Sequence, residues 1–223
     1  PVQCAQAYQE DGADELAFLD ITATVEKRKT MLNVFRQVAH AVDIPVTLGG
    51  GMRSLSDIED ALDAGAAKVS ISSAAVRNPD LIEEAAKEFG PQYLIVAIDA
   101  DLSEETPSGY EVYIDGGRTA TGIDAFDFAR AAVDRGAGAI LPTSKKADGT
   151  KEGYDIPLTR GIADRVTVPV IASGGAGKPE HFYEAATEGR ASVLLAASVF
   201  HFGEIKIGDL KAYLKGRGVP VRL

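Results

Sequence analysis

The sequence predicts an α/β barrel, and three observations carry that prediction. Short runs rich in Val, Ile and Leu alternate with longer amphipathic segments, one strand–glycine–helix stretch recurs 124 positions later, and small residues and carboxylates collect where strands should end. At 223 residues the chain fits a single barrel domain over 1–223, with half-barrels of roughly 1–90 and 91–223.

Taken in order, the chain opens on a helical pattern from Val2 to Glu10. Apolar runs at 16–20, 45–48, 68–72, 93–99, 139–143, 168–172 and 192–197 read as buried parallel strands, because near-continuous Val, Ile and Leu suits a strand covered on both faces. Helical patterns fall between them at 29–41, 55–64, Asp80 to Phe89, 125–135, 180–188 and 209–216. Ser54 with Asp57 reads as a capping box for the helix at 55, and Asn78-Pro79 as the start of the next. Gly65, Gly90, Gly136 and Gly189 stand where helices should stop. YEVYIDGGRTA, from Tyr110 to Ala120, alternates around Asp-Gly-Gly and predicts a hairpin inserted after the strand at 93–99.

PVTLGGGMRSLSDI from Pro45 and PVIASGGAGKPEHF from Pro169 share one cadence. Without a gap the repeat aligns Gly50 with Gly174, Gly51 with Gly175, Gly65 with Gly189 and Val69 with Val193. The second half carries four strands and the first three, so by the repeat a strand equivalent to 93–99 falls before residue 1. The expectation is a (β/α)8 barrel, a TIM barrel, whose first strand lies outside this sequence.

Composition narrows the function. With 33 acidic against 23 basic residues, the formal net charge of -10 excludes nonspecific nucleic-acid binding, since the phosphates would be repelled. Cys4 is the only cysteine, which leaves neither a disulfide framework nor a Cys-based zinc site. No signal peptide or membrane-length apolar run is present, and the expected location is the cytoplasm. The three histidines, His40, His181 and His201, show no metal-ligand spacing, so neither metal nor cofactor is expected.

In a barrel of this kind, chemistry belongs at the C-terminal strand ends. Gly49-Gly50-Gly51 and Ser72-Ser73 end strands of the first half; Asp148-Gly149-Thr150, Ser173-Gly174-Gly175 and Ala197-Ser198 follow strands of the second. Small residues let oxyanions reach backbone N–H groups, so two such sets predict a bisphosphorylated small-molecule substrate. Asp99 ends LIVAID and is the candidate for general acid–base work. Asp20, Asp148 and Thr143, which stands near Asp20 in the repeat, are expected at the rim in binding roles. The run Glu26-Lys27-Arg28-Lys29 is either a solvated face or a set of cations over the mouth.

The stretches DELAFLDITATVEKRKT, VSISSAAVRNP, IVAIDA, DGTKEGYD, IASGGAGKPEHF and AASVFHF resemble the cyclase subunits of imidazole glycerol phosphate synthase, of histidine biosynthesis, and the resemblance runs through essentially the whole chain. It implies a reaction in which ammonia attacks a phosphoribulosyl-formimino aminoimidazole carboxamide ribotide, giving imidazole glycerol phosphate and aminoimidazole carboxamide ribotide. It implies two catalytic aspartates, of which Asp99 matches the second, the first lying before residue 1 beside a lysine-bearing loop. It assigns Gly51, Ser72 and Ser73 to one phosphate, and Gly149, Gly174, Gly175, Ala197 and Ser198 to the other.

A glutaminase subunit is the implied partner, but Ala67 and Ala139 stand where charged residues serve the ammonia gate and that contact. Ser72 replaces a common Asn, and Lys145-Lys146-Ala147 a more acidic segment. Two alternatives stand beside the cyclase: the sister phosphoribosyl isomerase, which shares the repeat but not DITATVEKRKT, and a noncatalytic or engineered barrel fragment, the expectation if the molecule begins at Pro1.

Overall fold

The computed structural model describes residues 1–19 and 25–222, the side chains of 25–30 excepted. Asp20 therefore lies outside the described residues, as do the side chains of the run from Glu26 to Lys29.

The first half consists of α1 (Val2–Glu10), β1 (Leu16–Leu19), α2 (Val25–His40), β2 (Val46–Gly49), α3 (Leu55–Asp63), β3 (Lys68–Ile71), α4 (Ser73–Arg77) and α5 (Asp80–Phe89). A 3₁₀ turn, Pro91–Tyr93, leads into β4 (Leu94–Leu102), β5 (Tyr110–Ile114), β6 (Thr119–Asp124), α6 (Ala125–Asp134), β7 (Ala139–Ser144) and α7 (Ile156–Ala163). The chain continues through β8 (Ile171–Ala172), α8 (Pro179–Thr187), β9 (Val193–Leu194), α9 (Ser198–His201) and α10 (Ile207–Lys215).

Parallel pairing runs β1-β2-β3-β4-β7, and bridges from Ile140 to Val170 and from Thr143 to Ser173 carry it on to β8 and β9. The fold is a (β/α)8 barrel, of which these strands lie among the described residues. Outside the strands the circuit closes through helices: Tyr8 Oη lies 2.7 Å from His201 Nδ1, Ile207 N donates to Asp11 Oδ2 at 2.7 Å, and Lys211 pairs with Asp14 at 2.9 Å. These contacts seat α1 beside the last two helices.

Strand alternation separates two apolar layers. Val96, Ile98 and Ala100 of β4 join Val69, Ile71 and Ile140 under the helices, packed with Phe35, Ile58, Ile82 and Leu158. The other face carries Ile95 and Ala97, which meet Ala139, Leu141, Ile171 and Leu195 in a separate cluster inside the barrel. Asp99 is the next residue up that inner face.

The repeat is visible in the backbone, with one correction. Leu16 pairs with Val46 as Ile140 bridges Val170, and Leu16 N bonds to Pro45 O as Ile140 N bonds to Pro169 O, all at an offset of 124. By β3 the offset is 125: Ala67 N reaches Val46 O while Ser192 N reaches Val170 O. The left-handed residue ending α3 is Gly65 (φ 100°), and its counterpart is Arg190 (φ 55°) rather than Gly189. Gly189 is small for another reason: a Cβ there would lie 2.6 Å from the Ala185 carbonyl oxygen.

Other expectations shift modestly. The strands expected at 168–172 and 192–197 shorten to Ile171–Ala172 and Val193–Leu194, in part because Pro169 has no N–H to give a ladder. Helix α5 starts at Asp80 with Pro79, not Asn78, at its N-cap. The hairpin turns at Asp115 (φ 59°), Gly116 and Gly117, as Asp-Gly-Gly predicts, but β6 runs on to Asp124, whose carboxylate caps α6.

Candidate active site at the strand ends

Register builds the site directly. Asp99 on β4 stands opposite Tyr113 on antiparallel β5 and opposite Thr143 on parallel β7, and Thr143 bridges Ser173. Opposed residues share a face, so Tyr113, Asp99, Thr143 and Ser173 form one row across four neighbouring segments. All four are half-buried, one layer above the apolar cluster of Ile95, Leu141 and Ile171. One step further out, Asp101 stands beside Lys145, whose Nζ lies 3.4 Å from Asp101 Oδ2 and 3.5 Å above the Tyr113 ring centroid.

This setting raises the proton affinity of Asp99. Burial contributes most by disfavouring the charged carboxylate, repulsion from Asp148 adds to it, and Lys145 opposes both. An acid held above the ordinary carboxylate range at the mouth of a barrel suits proton transfer.

The residues of the second half expected at a phosphate lie near this row. Asp148 N donates to Ser144 O, and the Asp148 side chain sits against Gly174, where a Cβ would lie 3.3 Å from its own. Gly174 (φ 85°) and Gly175 (φ 98°) reproduce the left-handed pair Gly50 (φ 98°) and Gly51 (φ 70°). Gly175 O accepts from Gly153 N at 2.8 Å, and a Cβ on Gly175 would strike the Gly153 carbonyl oxygen. Close packing therefore already demands glycine there. Gly149 (φ 77°) faces open space.

Ser72 precedes α4 and Ala197 precedes α9 in nearly the same backbone state (φ/ψ -124/-95° and -120/-70°). Ser73 and Ser198 thus open equivalent first turns, whose leading N–H groups have no partner within the helix. Ser73 Oγ accepts from Asp115 N at 2.9 Å, so the hairpin tip sits on α4. Arg77 of α4 grips the Asp115 carboxylate at 2.7 and 2.8 Å, and that hydrogen bond holds Asp115 below the usual carboxylate range.

Several neighbours of the candidate site escape a reading of the sequence. Asp155 caps α7 through Leu158 N (3.0 Å) and accepts Tyr110 Oη (2.8 Å) and Ser144 Oγ (2.9 Å), tying hairpin, β7 and α7 together. Asp followed by Ile-Pro is a helix-start signal that could have found α7. Nothing local marks Tyr113 as a partner of Asp99, since that pairing depends on hairpin register.

The histidines have local partners. His181 Nδ1 accepts from Gly177 N and Lys178 N at 3.1 and 3.3 Å, His40 Nδ1 lies 2.7 Å from Arg36 O, and His201 meets Tyr8. Among the described residues, no group of three His, Cys, Asp or Glu is placed to hold a metal, and no helix is long and apolar enough to cross a membrane. A family model described as "Histidine biosynthesis protein" matches residues 1–206.

Proposed function

This chain belongs to the histidine biosynthesis protein family, and on that premise we propose that it is the cyclase of the pathway. It joins ammonia to a phosphoribulosyl-formimino aminoimidazole carboxamide ribotide and releases imidazole glycerol phosphate and aminoimidazole carboxamide ribotide. The observation that carries this reading is the row Tyr113, Asp99, Thr143 and Ser173 above the inner apolar layer, with a carboxyl group of raised proton affinity at its centre. Within the family, the stretch DITATVEKRKT favours the cyclase over the isomerase.

Ring closure requires protons to leave an incoming nitrogen and reach departing oxygen. Asp99 takes the proton as carboxylate and returns it as acid, at a half-buried position. Thr143 and Ser173 offer hydroxyls along the same row to orient the reacting portion. The left-handed pairs Gly50-Gly51 and Gly174-Gly175, with the first turns at Ser72-Ser73 and Ala197-Ser198, supply backbone donors for the two phosphates. Asp148 and Gly149 complete the second set. Ammonia enters free or from a glutaminase subunit, and Ala67 and Ala139 leave that docking face without the family's usual charges.

The test is direct. The chain is given the formimino ribulosyl substrate with ammonium salt, and imidazole glycerol phosphate is measured. Asp99→Asn should lower kcat/KM by about 10²–10⁴-fold, the range of a lost general acid–base group. Conversion of the ribosyl precursor without ammonia would assign the isomerase instead.

A further inference from the structure

We propose that Lys145 is a charge-positioning residue for Asp99: its ammonium, parked between the Tyr113 ring and the Asp101 carboxylate, is the counter-charge to the acidic groups around Asp99 on the inner face of β4. For its catalytic consequence this rests on the acid–base role of Asp99 proposed above.

The geometry is a two-row lattice. In the inner row, Asp99 has Tyr113 on one side and Thr143 on the other. In the outer row, Asp101 stands opposite Glu111 and next to Lys145, whose backbone N–H donates to Ala100 O at 2.9 Å and fixes where its side chain starts. From there the chain runs past Gly117, where a Cβ would lie 3.2 Å from Lys145 Cε, and ends 3.5 Å above Tyr113 and 3.4 Å from Asp101. The ammonium thus rests on the ring that flanks Asp99 and on the carboxylate two residues along the same face.

Among the described residues, the charged and titratable groups on the strands and loop beside Asp99 bear on the result. Asp101 and Asp148 repel a second negative charge. Glu111 turns aside to accept from Gly122 N at 2.5 Å, and Tyr113 is a neutral platform. Among these described neighbours Lys145 supplies the positive charge, and it is the one that draws the Asp99 proton affinity down. The Tyr113 face favours a cation beyond simple ion pairing, so the ring and Asp101 together hold the Lys145 ammonium in place.

The test reads Asp99 itself. The side-chain carboxyl of Asp99 is titrated by ¹³C NMR, assigned with Asp99→Asn, in the unaltered chain, Lys145→Met and Lys145→Arg. Lys145→Met keeps the aliphatic stem and should raise the Asp99 midpoint, the direction expected when a nearby opposite charge is lost. Lys145→Arg should return it. Lys145→Gln replaces the methionine variant if that one does not fold. An unmoved or lowered midpoint overturns the proposal, and so does a rise that arginine fails to reverse, because packing rather than charge would then be responsible.

The titration needs no substrate, so the two readings fail separately. A chain that forms no imidazole product but shows the shift loses the reaction and keeps the charge relation. A chain that turns over without the shift does the reverse. In an active chain, the acidic limb of the kcat/KM profile should move up in Lys145→Met together with the NMR midpoint.

Discussion

Asp99 works against the stability of the fold that holds it. Its carboxyl is raised above 3.8 in the folded chain, so between that value and its folded value the native state binds more protons than the unfolded one. Stability from this group is therefore greatest in acid and is lost as pH rises through that window, leaving a net cost at neutral pH. Asp99→Asn should melt no lower than the unaltered chain at pH 7 while losing turnover; a melting temperature that falls with activity would mark Asp99 as structural. Gly175 makes the opposite case. Gly175→Ala forces a Cβ into the Gly153 carbonyl at φ 98°, and urea unfolding should show a loss of at least about 1–2 kcal/mol, the left-handed penalty alone.

At the scale of elements, Asp155 holds the inserted hairpin to the barrel. It satisfies Tyr110, Ser144 and the first turn of α7 at once, and burial, reinforced by the bond to Asp155, pushes the Tyr110 phenol well above its ordinary range. Asp155→Ala removes the cap and strands two buried hydroxyls, so chemical denaturation should report a loss of about 2–4 kcal/mol. Tyr110→Phe leaves Asp155 its other donors and should cost only about 1 kcal/mol.

The element order itself was legible from apolar runs and glycine stops, and α1 and α5 fall on the expected residues. Helix α7 was not, because Gly161 and Pro157 weaken its pattern. The structure explains Gly161, since a Cβ there would strike the Phe126 ring. The one-residue slip in the repeat was invisible too, because Gly189 occupies the aligned position while Arg190 takes the left-handed conformation.

For the whole molecule, the repeat gives two glycine-paired loops on one barrel mouth, and the proposed bisphosphate substrate would meet local backbone donors there despite the net charge of -10. Asp99 was legible because a carboxylate after an apolar run is kept out of the core, although the strand expected to end at 99 runs on to Leu102 through its pairing with the hairpin. Its neighbours Tyr113 and Lys145 were not, because their meeting depends on how a hairpin and a loop register against β4. Family membership fixes the pathway, and one assay tests the step within it. Pure chain is supplied with the formimino ribulosyl substrate, with and without ammonium salt, and imidazole glycerol phosphate is quantified. The cyclase reading predicts product only with ammonia and its loss in Asp99→Asn; isomerisation of the ribosyl precursor with no ammonia-dependent product would contradict it.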